Sequence, residues 1–274
     1  MTHPTINNIQ INSENRLSVQ VTLTGLSFLV TNIDSRDKLF FSEKKLDSNL
    51  SPEETLLELQ KVISNNQNLQ GTFKEVSLVY STNLYTLVPE SLFDENKASE
   101  YLKFNAKILA NDFVAHEVIE NYDIVVVYVP FININNYFFE QYGSFHYFHS
   151  TSVLLKSFLN TEKHSQEPKI YLHLQDDFFD CIIIKNGALQ LCNTYSYKTP
   201  EDFIYYVLFA IEQLKLNPDT VQTLLCGAIK EEDDYYQIAY KYIRNISFLD
   251  NYNSNIKILE NETPHEQFLI KNLI

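Results

Sequence analysis

Apolar and polar residues alternate from Leu17 to Leu23 (LSVQVTL), the period of a half-buried strand. Thr24-Gly25 reads as a tight turn, and Leu26–Thr31 returns as a second strand. Lys38–Lys45 makes a third, with Leu39, Phe40 and Phe41 as its apolar part. A helix start follows. Ser51 stands at the N-cap, Pro52 at the first helical position, and Glu53 and Glu54 in the first turn, where the dipole favours acids. Leu56, Leu57, Val62 and Ile63 form the apolar face of a helix running to Asn65, and Phe73–Tyr80 is a fourth strand.

The same grammar returns a hundred residues later. Ile170–Leu174 is a strand, Asp176-Asp177 a turn, and Phe179–Lys185 a strand. Asn186-Gly187 is the strongest short hairpin signal in the chain. Ala188–Tyr195 follows as a third strand. Thr199-Pro200-Glu201-Asp202 then repeats the cap of the first half, before a helix with Phe203, Val207, Ile211 and Leu214 on one face. Val221–Cys226 is the fourth strand. Matching order and matching caps predict an internal duplication.

The halves diverge after their fourth strands. In the second, Glu232-Asp233-Asp234 opens a helix over Tyr235–Ile243, and Ile246–Leu249 and Ile256–Leu259 read as strands. Thr263-Pro264-His265-Glu266 caps a short terminal helix. The first half carries an insertion at about 82–122, with a strand at Asn83–Pro89, a helix at Leu92–Phe104 and a strand at Phe113–Ile119. Beyond it come a buried strand (Ile124–Pro130), a helix (Asn133–Tyr142) ended by Gly143, a strand (Phe145–His149) and a helix (Ser152–Leu159). The polar run Asn160–Pro168 is the linker, dividing the chain into 1–163 and 164–274, and residues 1–15 are a flexible lead-in.

Composition narrows the function. A net charge of −14 without a Lys/Arg cluster argues against nucleic acid and anionic lipid as partners. Apolar runs are far shorter than the ~20 residues of a membrane span, and the amino terminus lacks the pattern of a signal peptide. Cys181, Cys192 and Cys226 stand singly in apolar surroundings, as reduced cytoplasmic thiols do.

Two mixed α/β lobes of this order resemble the actin-like ATPase fold, a pair of ribonuclease-H-like units. IVVVYVPFININNYFFEQYGSFHYFHSTSVLL is similar to the end of the first lobe in the type IV pilus assembly and cell-division branch, and IYLHLQDDFFDCIIIKNGALQLCNTYSY to the start of the second. TGLSFLV, with YSTNLYTLVPESLFDENKASEYLKFN, resembles a bacterial family, domain of unknown function 3822. The resemblance covers nearly the whole chain.

It implies where chemistry would sit. Active members wrap phosphates with two Asp-x-Gly-x-x-Thr/Ser hairpin loops, the acid handling Mg²⁺ or water and the glycine admitting phosphate to backbone N–H groups. A Gly-Gly pair after a late strand receives adenosine. The first loop aligns with Thr22–Ser27: Gly25 and Ser27 remain, but Thr22 or Leu23 stands where the acid belongs. The second aligns with Leu172–Asp177, with His173 for Asp, Gln175 for Gly, and Asp176 and Asp177 adding charge that repels polyphosphate. The adenosine position aligns with Gly227 and Ala228. Candidate nucleotide contacts are therefore Gly25, Ser27, Asp176, Gly227 and Ala228.

No catalytic or metal-binding set emerges. His146 and His149 fall on opposite faces of their strand, and Glu231–Asp234 is an acidic helix start. Five glycines cannot build a glycine-rich cradle. Two surfaces read as interfaces: a tyrosine group (Tyr195, Tyr197, Tyr205, Tyr206, Tyr235, Tyr236, Tyr240, Tyr242) and the insertion with Leu87, Val88, Leu92 and Phe93. In the related branch such an insertion carries self-association. The resulting expectation is a cytoplasmic, non-catalytic scaffold or assembly protein without a cofactor, joined to a protein partner or to itself. The alternatives are a nucleotide binder or slow ATPase using ATP and Mg, with Asp176, Asp177 and Asp180 rearranged, and a sensor of some other ligand in the interlobe cleft.

Overall fold

The computed structural model describes residues 14–46, 50–103, 108, 112–249, 256–257 and 263–273. Two five-stranded sheets share one order. In the first, β1 (Asn15–Val21) lies between β2 (Gly25–Asn32), antiparallel to it, and β4 (Glu75–Tyr80), parallel to it. β3 (Lys38–Lys45) flanks β2, and β8 (His146–His149) flanks β4. In the second, β9 (Lys169–Leu174) takes the centre between β10 (Phe178–Lys185) and β12 (Gln222–Gly227), with β11 (Ala188–Ser196) and β13 (Asn245–Phe248) outside. Each pairing has the same sense as its counterpart. Asn186 and Gly187 turn the β10–β11 hairpin with φ of 54° and 68°, as the Asn-Gly pair predicts.

The caps recur as well. α1 (Pro52–Ser64) and α5 (Pro200–Gln213) each begin on a capping box. Ser51 Oγ accepts from Glu54 N–H at 3.3 Å while Glu54 Oε2 accepts from Ser51 N–H at 2.9 Å. Thr199 Oγ1 accepts from Asp202 N–H at 3.1 Å, and Asp202 Oδ2 from Thr199 N–H at 3.2 Å. Two orphan donors are satisfied at each start.

The period-two alternation of the second sheet divides its side chains between two cores. Ile170, Leu172, Phe179, Ile183 and Leu225 pack beneath α5 and α6 (Asp234–Tyr242). Tyr171, Ile182, Ile184, Leu224 and Cys226 join the core of the first lobe through α4 (Ser150–Glu162). Phe158 of α4 stacks on Tyr171, ring centroids 4.1 Å apart, and meets Phe268 at 5.3 Å. Phe268 opens α7 (Phe268–Lys271), which returns to touch β1, β2, β12 and α4. The carboxy-terminal segment thus bolts the lobes together.

A third sheet departs from the sequence pattern. β7 (Ile124–Tyr128) pairs with β5 (Tyr85–Pro89) and β6 (Ala115–Ile119) in the order β5-β7-β6, so a strand placed after the insertion is the centre of the inserted sheet. α3 (Ile132–Tyr142) ends at Gly143, φ 77°, as expected.

Several local expectations are corrected. Thr55, Leu59 and Ile63 form the buried stripe of α1, and Leu57 is exposed, because spacing of four selects the inward line. The helix expected at Leu92–Phe104 reduces to two 3₁₀ turns and α2 (Ala98–Leu102); Phe104 lies outside the described residues. α4 runs into the polar linker because Glu162 is a core residue, accepting from Tyr171 Oη at 2.6 Å and Lys169 Nζ at 2.8 Å. Thr263 caps nothing: α7 starts at Phe268, after Gln267 in the left-handed region. Ile256 and Lys257 form no strand, and the rest of that expected strand lies outside the described residues, as do residues 1–13 of the lead-in.

Candidate functional site

A cleft of about 720 Å³ opens between the lobes. Its walls come from the β1–β2 hairpin, the β9–β10 hairpin, the end of β12, the start of α6 and the carboxy-terminal segment. The geometry brings together every candidate contact named from the sequence: Gly25, Ser27, Asp176, Gly227 and Ala228 all line it.

The first hairpin is closed on itself. Thr22 Oγ1 donates to Gly25 O at 3.0 Å and accepts from Thr24 N–H at 3.1 Å. Gly25 is not in the left-handed region, and a Cβ there would meet Lys44 O at 3.4 Å, an ordinary contact. The turn therefore does not require glycine.

The second hairpin carries the deciding side chain. Gln175 is buried, and its amide donates to Ser81 Oγ in the first lobe. Its backbone carbonyl accepts from the Tyr197 hydroxyl, and its backbone N–H donates to Phe178 O. Gln175 thus spans the gap between lobes. At the mouth, Lys45 Nζ bonds Asp176 Oδ1 at 2.8 Å, again from lobe to lobe. This hydrogen bond raises the Lys45 pKa.

His173 lies at the floor, almost fully buried. Its Nδ1 is 3.1 Å from Asp180 Oδ2; Asp180 Oδ1 accepts from Thr194 Oγ1 at 2.6 Å; Thr194 Oγ1 is 3.0 Å from the Tyr85 hydroxyl. The chain of bonds runs from the cleft floor to the inserted sheet. His173 faces Asp180 across the hairpin register, and Asp180 faces Thr194. Counting outward from the Asp176-Asp177 turn predicts the first of these pairs. Ser81 and Tyr85 carry no such signal, because their partners lie more than ninety residues away.

Gly227 sits where only glycine fits. Its φ is 91°, and a Cβ would sit 2.2 Å from Leu174 O. Its N–H bonds His265 O at 2.9 Å, and the Ala228 N–H bonds Leu174 O at 2.8 Å. Both backbone donors at Gly227 and Ala228 are occupied by the protein itself.

Elsewhere the candidates separate. His146 is exposed and His149 fully buried, on opposite faces as predicted. No group of three or more His, Cys, Asp or Glu among the described residues could hold a metal. The thiols are free; burial pushes Cys181 and Cys226 far up and Cys192 up to about 12. In the tyrosine group, Tyr197 and Tyr236 are buried and Tyr195 stacks on Tyr206 at 4.8 Å, while Tyr205, Tyr240 and Tyr242 are exposed. In the insertion Val88 is buried and Leu92 exposed. No helix among the described residues is long and apolar enough to cross a membrane.

Residues 4–246 match the family described as Protein of unknown function (DUF3822). The chain belongs to this family. No functionally curated protein matches this DUF3822 chain. Among solved structures it is similar to a Bacteroides thetaiotaomicron protein with actin-like ATPase fold and unknown function. The TM-score is 0.79 at 21% identity, over 90% of this chain and 95% of that one. It is also similar to a chain of the PilM-PilN type IV pilus biogenesis complex, at TM-score 0.59 and 10% identity, over 93% and 96%. The DUF3822 protein has the actin-like ATPase fold.

Proposed function

We propose that this DUF3822 protein is a non-hydrolysing actin-like protein that works as a scaffold or assembly partner in the bacterial cytoplasm. The observation that carries the reading is Gln175. An amide side chain, hydrogen-bonded to Ser81 across the cleft, occupies the position where a phosphate loop needs a bare backbone. At the aligned acid positions stand Thr22 or Leu23 and His173, and the amides of Gly227 and Ala228 are already bonded. The fold is retained while the groups for phosphoryl transfer are replaced.

Partner binding is a use open to this fold, since the similar PilM is known in a complex with PilN. The exposed Tyr205, Tyr240, Tyr242 and Leu92 supply contact area of the kind interfaces use. The two lobes, 1–163 and 164–274, are its units, and their common strand order favours an origin by duplication.

A second reading, a nucleotide binder or slow ATPase, is favoured by one fact: Gly25, Ser27, Asp176, Gly227 and Ala228 converge on a cleft large enough for a ligand. Phosphate release from Mg-ATP separates the two. The scaffold reading expects none above background, at concentrations where light scattering gives a mass above the 32.0 kDa monomer. Turnover that Gly227→Val abolishes would contradict it. A strict monomer would move assembly from self-association to a different protein.

A further inference from the structure

We infer that two copies of the chain pair along the free edge of β11, antiparallel and about a two-fold axis, so that their second-lobe sheets join into one. The inference deepens the scaffold reading, on which it rests, by naming the surface of assembly.

A sheet edge is a row of unpaired N–H and C=O groups, and proteins guard such edges with charges, proline or short length. Among the described residues the other edge strands are guarded. β3 carries Lys38, Glu43, Lys44 and Lys45. β8 and β13 have four residues each, β5 ends on Pro89, and β6 holds Glu117. β11 has nine residues and no charged side chain. Its one irregularity is the extra residue Gln190, where the register with β10 shifts.

The Tyr197 N–H bonds Asp177 O across the hairpin and fixes the phase of the strand. Alternate residues of an antiparallel strand turn both backbone groups to the same side. Leu191, Asn193 and Tyr195 therefore bond β10, and Cys192, Thr194 and Ser196 turn their N–H and C=O groups outward. No strand among the described residues pairs with that edge, and Asn193 and Ser196 are exposed. A two-fold axis at Thr194 sets this residue opposite its own copy and Cys192 opposite the second copy's Ser196. Each such pair exchanges two hydrogen bonds.

The helix beside the edge favours a second copy over a lone peptide. Tyr195 of β11 stacks on Tyr206 of α5 at 4.8 Å, Tyr206 meets Tyr205 at 5.3 Å, and Tyr205 stacks on Phe209 at 6.3 Å. Tyr205 is 62% and Phe209 42% exposed. The rings lead from the strand edge to the outer shoulder of the helix. A peptide strand would satisfy the edge and leave these rings in water. A two-fold perpendicular to the sheet brings a second α5 to the same face, where ring can cover ring. Charge agrees. At −14 two copies repel, and β11 lets them meet without setting strand carboxylates against one another.

Sedimentation equilibrium of the full chain tests the pairing. The native protein should form a dimer of the 32.0 kDa chain. Ser196→Pro removes an outward N–H and no bond to β10. Tyr205→Glu/Phe209→Glu sets charge among the exposed rings, and decides the matter if the proline variant does not fold. Each should weaken the dimer by roughly tenfold or more. Amide exchange reads the edge itself: Cys192, Thr194 and Ser196 should slow as concentration rises through the dissociation constant, while Asn193 stays unchanged. A strict monomer, a dimer that neither variant weakens, or edge amides indifferent to concentration would overturn the proposal. None of these outcomes touches the absence of hydrolysis in the scaffold reading, which phosphate release from Mg-ATP tests separately.

Discussion

The hydroxyls of Tyr85 and Thr194 lie 3.0 Å apart, tying the inserted sheet to the edge strand of the second lobe. The Gln175–Ser81 bond and the Lys45–Asp176 pair also tie the lobes. Gln175→Ala strips the donor from a buried serine hydroxyl, which costs about 1–3 kcal/mol. Tyr85→Phe leaves Thr194 bonded to Asp180, so about 1 kcal/mol is expected. Urea unfolding gives both values. Hydrogen exchange should accelerate first in β5 and in the β9–β10 turn.

The two cleft glycines should respond oppositely to a methyl group. Gly227→Ala forces a positive φ on alanine and drives Cβ to 2.2 Å from Leu174 O, so a loss above about 2 kcal/mol is expected. Gly25→Ala has room and an ordinary φ, so the change should stay within about 0.5 kcal/mol. Thermal unfolding of the pair decides it.

The repeated caps make a matched test of the repeated architecture. Ser51→Ala and Thr199→Ala should each destabilise by about 1 kcal/mol, and Ser/Thr exchange at either site should be nearly silent.

His149 gives the fold a pH dependence. Its Nδ1 accepts from the Thr151 N–H, and its Nε2 donates to Thr82 O. Burial pulls its pKa down from 6.5 to about 4. The unfolded chain therefore binds the proton more readily between these values. Stability from this group is complete above pH 6.5 and is lost as pH falls towards 4, by about 3 kcal/mol. The neighbouring Glu117 carboxyl, pushed up by burial, acts with the opposite sign, losing stability as pH rises above its ordinary range. The His149 contribution is thus read from the difference between native chain and His149→Gln in urea unfolding at pH 7 and pH 4.5.

Local signals carried most of the architecture. Alternation located the strands of both sheets, and the Ser51 and Thr199 caps marked the helices that cross between them. What the sequence hid was long-range. Ile124–Tyr128 is apolar wherever it pairs, so only the partners β5 and β6 reveal its sheet. Glu162 reads as linker because its partners, Lys169 and Tyr171, lie beyond a turn. At the site, the positions of His173 and Gln175 beside the Asp176-Asp177 turn were visible. Their bonds to Asp180 and Ser81 were not, and the second of these ties the lobes together.

The most direct measurement is a calorimetric titration of Mg-ATP into the native chain. An unoccupied phosphate site should give saturable heat, and a ligand at a hundred times its Kd would stabilise the fold by about 2.7 kcal/mol. The scaffold reading predicts no saturable heat up to millimolar Mg-ATP and no rise in Tm. A single-site isotherm, lost in Gly227→Val, would contradict the account.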